Sequence, residues 1–129
     1  MIARTLVGPF LVATLLGAVS PCALAHHSFS MFDRSRTVTL QGTVRQLQWT
    51  NPHCFLQVLV EEPAGPQEWS IEMNSPLDMY RVGWRPGSFQ TGEKVTVTFN
   101  PLKAGGLGGA LVSVVDSSGH VLATTRPQP

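Results

Sequence analysis

Cysteine is almost missing from this chain. Cys22 and Cys54 are the only two in 129 residues, which excludes the disulfide framework that staples many small secreted domains. Charge is scarce as well: Asp, Glu, Lys and Arg make up 13% of the residues, and the formal net charge is +1. A phosphate backbone gains little from so balanced a surface, so a nucleic-acid partner held by charge is excluded. Nothing repeats internally, and no apolar run reaches the roughly 20 residues of a comfortable membrane helix.

What is present falls into two unlike parts. Residues 1–25 contain 17 hydrophobic residues and a single charged side chain, Arg4. Arg4 supplies a charged n-region, Leu6 to Val19 a short apolar h-region, and Ala23-Leu24-Ala25 the small residues that a signal peptidase reads. Residues 1–25 are therefore expected to be a cleaved signal peptide. Val19-Ser20-Pro21 before Cys22 makes a poor lipoprotein signal, because the residue preceding such a cysteine should be small and unconstrained. A cut after Ala25 leaves 104 residues from His26 to Pro129, with 8 basic and 8 acidic side chains and Cys54 as the remaining cysteine. That predicts a periplasmic or secreted protein with no membrane span after processing, stabilised by one modest core.

Residues 26–36 read as a polar and aromatic arm carrying His26 and His27, residues 37–124 as a β domain and residues 125–129 as a loose tail. The first strand is expected from Thr37 to about Trp49. Val38, Leu40 and Val44 share one parity, Leu47 and Trp49 the other, so a bulge near Gln46 should switch the inward face. His53 opens a second strand through Val60, with Cys54, Leu56, Val58 and Val60 on its apolar face. Glu68 to Met73 alternate as a third, with Trp69, Ile71 and Met73 pointing inward. Ser75 to Gly83 then predict a short helix, with Ser75 as cap, Pro76 at the first position and Gly83 as the stop. Val95, Val97 and Phe99 mark a fourth strand and Leu111 to Val115 a fifth, joined by a glycine-rich connector from Gly105 to Gly109; a last extension falls at Val121-Leu122. Three strands, one helix and two more strands is the order of the five-stranded OB-fold barrel. A β-sandwich fits less well, because of the helix.

The residues that carry chemistry are few. Cleavage after Ala25 gives His26 a free α-amine beside its own imidazole, and the two nitrogens chelate together. A third nitrogen would complete the flat nitrogen set that suits Cu(II). His53 is the candidate third donor, since it follows Asn51-Pro52 and does not share the face of Cys54 and Leu56, and His27 is an alternative. Glu72, opposite the apolar face of its strand, could supply an axial oxygen or orient a ring. A cut one residue earlier would place histidine third in Ala25-His26-His27, a terminus that binds Cu(II) without His53. Met73 and Met79 read as core fillers, Met31 as a sulfur near the histidines, and Cys54 as a small buried hydrophobe. The leading expectation is a non-catalytic barrel holding copper through His26, His27, His53 and Glu72. The alternative is an OB-type module that binds a peptide, glycan or partner protein without metal, with Trp49, Trp84 and the glycine connector as its contact residues. Enzymatic chemistry would need an open metal position and a substrate pocket, and the sequence marks neither.

These same residues carry a resemblance. Ala25-His26-His27-Ser28-Phe29, Met31-Phe32-Asp33, Trp49-Thr50-Asn51-Pro52-His53, Trp69-Ser70-Ile71-Glu72-Met73 with Ser75-Pro76, Gly83-Trp84-Arg85-Pro86 and Gly92-Glu93-Lys94-Val95 through Pro101 stand in the order found in the small exported bacterial proteins grouped as domain of unknown function 6152. The chain resembles that family over nearly all of residues 26–129. The resemblance implies export and a small β domain, and no activity. Similar proteins tend to carry a hydroxyl or aliphatic residue and then tryptophan where this chain has Cys54-Phe55, which speaks against a special role for Cys54.

Overall fold

Alternating apolar residues build a barrel here because the five strands that form its ring each hide one face and pair on both edges. The structure, a computed structural model, describes residues 29–125. Its strands are β1 (Val38–Gln48), β2 (Phe55–Val60), β3 (Gln67–Glu72), β4 (Lys94–Pro101), β5 (Gly108–Asp116) and β6 (Val121–Ala123), with helix α1 (Pro76–Arg81) between β3 and β4. β1 is long enough to serve two partners: Val38 to Thr43 pair with β4, and Thr43 to Gln48 pair with β2. The β1–β2 register slips between Val44 and Gln46, at the place where the apolar parity switches. That bulge bends the strand from one side of the barrel to the other. β5 pairs antiparallel with β4 and, through Ser70 to Glu72 of β3, parallel with β3, which closes the ring of five strands. The architecture is the expected OB-fold-like barrel with one short helix.

Inside lie Val44, Leu56, Val58, Ile71, Val97 and Phe99, each almost or wholly inaccessible to water. α1 covers part of this core with Met79, which is buried. The Ser75 hydroxyl caps it by accepting from the Asp78 N–H, Pro76 stands at its start, and Gly83, at φ +101°, takes the left-handed turn that ends it. Trp84 follows, fully buried, with its indole N–H donating to the Ala123 carbonyl at 3.0 Å.

One expectation is corrected. Gly108 and Gly109 are not part of a flexible connector; they begin β5, where they are buried. A Cβ on Gly109 would overlap the Phe99 ring and the Asn100 carbonyl, and one on Gly108 would stand 2.8 Å from the Ser70 carbonyl oxygen. The glycines therefore let three strands meet closely at the closing seam. Within the segment read as a polar and aromatic arm, residues 29–36 are described and part of them is packed. Phe29–Met31 make a 3-10 turn, Phe32 is buried and bridges Leu102, and the Asp33 N–H donates to the Pro101 carbonyl at 2.8 Å. One buried aromatic has no period to betray it.

Candidate functional site

The Thr50-Asn51-Pro52 corner delivers His53 to the end of the β2–β3 pair. Asn51-Pro52 is a cis peptide, and the Thr50 hydroxyl donates to the His53 carbonyl at 2.7 Å. His53 and Cys54 precede β2 rather than opening it, but the ladder runs on through them: the Cys54 N–H donates to the Asn74 carbonyl and the Met73 N–H to the Cys54 carbonyl. Cys54 faces the core with Leu56. His53, of opposite parity, faces the same way as Phe55, whose partner across the ladder is Glu72.

His53 and Glu72 meet. The imidazole Nδ1 hydrogen-bonds to Glu72 Oε1, with 20% and 19% of the two side chains exposed. A carboxylate bonded to one ring nitrogen is the arrangement that metal-binding histidines use to fix the orientation of the imidazole. The two residues that sequence parity placed off the apolar faces of neighbouring strands are thus brought together. His26 and His27 lie outside the described residues. Among the described residues, no three His, Cys, Asp or Glu side chains gather to hold a metal ion.

Burial pushes the Cys54 thiol above its ordinary range, so Cys54 behaves as a core hydrophobe and not as a nucleophile. Met73 and Met79 are buried fillers, while Met31 is exposed. Trp84 belongs to the core, tilted against Phe89, which removes it as a stacking platform for a ligand. Trp49 and Trp69 are half-buried against the same core, and the Trp69 Nε1 is inaccessible to water with no hydrogen-bond partner.

Beside Glu72 the barrel surface opens into a cleft of about 320 Å³. Phe32, Met73, Ala110 and Leu111 give it apolar walls, and Arg34, Glu72, Asn74, Asn100, Thr124 and Thr125 bring polar groups to it. The segment that leads in from the N-terminal side, through Phe32 and Arg34, therefore lines the same cleft as Glu72. Sequence reasoning found Glu72 alone of these six polar residues. The others come from four separate segments and share no spacing that a motif could show.

Residues 14–111 match a family model described as a family of unknown function (DUF6152). No curated protein and no solved structure matches the chain.

Proposed function

The chain belongs to this family of unknown function (DUF6152), and from that premise we propose an exported, non-catalytic barrel that holds a copper ion between its processed N-terminus and His53. The observation that carries the reading is the His53–Glu72 hydrogen bond, a carboxylate holding an imidazole in the way that orients the rings of metal-binding histidines. Support also comes from the path of the chain. Phe32 and Arg34 line the cleft that Glu72 borders, so the segment that follows His26 and His27 in sequence passes beside the carboxylate that holds the His53 ring. In this reading the α-amine and imidazole of His26 chelate, His53 adds a third nitrogen, and Glu72 holds the His53 ring. His27 is the alternative ring donor. A flat set of nitrogens selects Cu(II) over tetrahedral zinc.

Intact mass spectrometry of the exported protein, with and without added copper, tests this directly. The expected result is a chain beginning at His26 that takes up one Cu(II). Binding should be lost when an extra residue precedes His26 and when His53→Ala is made; copper retained in both variants would overturn the reading.

A second reading, a small-molecule binding module without metal, is favoured by the cleft itself, whose mixed lining is of the kind that holds small ligands.

A further inference from the structure

The first half of β1 leaves one edge unused. The Val44 N–H donates to the Glu93 carbonyl and the Val44 carbonyl accepts from the Gly92 N–H, each at 2.8 Å, while the Arg36 carbonyl accepts from Asn100 Nδ2 on β4. The even-numbered residues of this stretch therefore turn their peptide groups toward β4, and Thr37, Thr39 and Gln41 turn theirs to the opposite edge. On that edge β2 pairs with β1 from Thr43 onward, and among the described residues no strand continues the ladder back past Thr43. Thr37, Thr39 and Gln41 are all exposed, and their outward N–H and C=O groups have no ladder partner among the described residues. Proteins guard such an edge with a charge, a proline or a bulge. Thr37 to Gln41 contain no charge and no proline, and their register with β4 is unbroken.

The two ends of this edge differ in charge. Arg36 stands at one end. Glu61 and Glu62 follow β2 at the other, where Glu61 lines a groove of about 430 Å³ together with Gln41 and Gly42. Arg36, Glu61 and Glu62 are exposed, and among the described residues none of them is in an ion pair. We propose that this edge pairs with the same edge of a second copy of the chain, antiparallel about a two-fold axis at Thr39. An antiparallel edge is complementary to itself, so each copy offers its free N–H and C=O groups to the other. In this register Arg36 of one copy stands opposite Gly42 of the other, beside Glu61, and the symmetry makes that contact twice. The side chains fit the same centre. The Thr39 and Thr98 hydroxyls share a hydrogen bond at 3.0 Å, and the pairing sets two such couples in one row across the joint, a cross-strand contact that favours a sheet. The dimer requires no metal and rests on neither reading of the preceding subsection.

Sedimentation equilibrium of the purified protein, with no metal added, tests the pairing. The expected result is a monomer-dimer equilibrium with a Kd below about 1 mM that weakens as salt is added. Thr39→Pro removes an N–H that β1 does not use within its own barrel, so it should give a monomer with an unchanged far-ultraviolet spectrum. The surface change Arg36→Glu should weaken the dimer about tenfold or more, and Glu61→Arg added to it should restore part of the loss. Hydrogen exchange supplies a second readout: the Thr39 and Gln41 amides should be protected in concentrated protein and exposed on dilution, while the Leu40 amide stays protected throughout. A protein still monomeric at about 1 mM overturns the proposal and leaves the edge to an extended segment of another protein. A dimer that survives both Thr39→Pro and Arg36→Glu, or one in which the Thr39 and Gln41 amides gain no protection, overturns it as well, because the copies then meet elsewhere.

Discussion

Glu72 is the residue on which most depends, because it orients His53 and borders the cleft at the same time. Replacing it with glutamine keeps the shape and removes the charge. Glu72→Gln should weaken copper binding about 10- to 100-fold, the usual cost of losing a carboxylate behind a metal-bound histidine, while the melting temperature of the copper-free protein changes little. Isothermal titration with Cu(II) beside a thermal melt separates the two effects. Both His53 and Glu72 were legible in the sequence, since each stands off the apolar face of a strand whose alternation is clean. Arg34, Asn74 and Asn100 were not. Nothing local distinguishes them from ordinary surface residues, and only the barrel's closure brings them to one place.

Turns and strand ends repeat this contrast at the scale of elements. The β1 bulge could be read because two sets of apolar residues disagree in parity, which a straight strand cannot satisfy. The start of β5 could not be read, because glycine carries no parity and a cluster of glycines has the composition of a loop. Gly109→Ala should therefore cost about 1–3 kcal/mol, the range for forcing atoms into a filled core, measured by urea denaturation. The β5–β6 turn has its own sensitivity. The Ser118 hydroxyl, then the His120 and Ser118 N–H groups, donate to the Asp116 carboxylate and hold its pKa below the ordinary 3.8. A carboxyl whose folded pKa is lowered stabilises the fold above its unfolded value and loses that contribution as the pH falls through the folded one. The Ser118 and His120 amides should exchange with solvent faster as the pH drops below about 4, relative to β1 amides in the same spectrum, once the intrinsic pH dependence of exchange is removed.

For the molecule as a whole, burial decides between competing roles for the aromatic residues. Trp84 has no exposed surface and packs against Phe89, so Trp84→Ala should cost about 3–5 kcal/mol of stability. Where the variant remains folded, its copper stoichiometry should be unchanged, as native mass spectrometry would show. The general plan of the barrel was visible from the sequence, because three strands, a capped helix and two more strands leave few ways to close a sheet. How it closes was hidden, since a parallel seam between distant segments leaves no local pattern.

That seam is short. β3 and β5 share three paired positions, whereas β2 and β3 share six. The cleft straddles it, drawing Glu72 and Met73 from one side and Ala110, Leu111 and Val112 from the other. Anything lodged there acts as a clasp across the weakest hoop of the barrel, so occupancy and mechanical integrity are one property. A loaded protein should resist prying apart at β3 and β5 before it resists anywhere else.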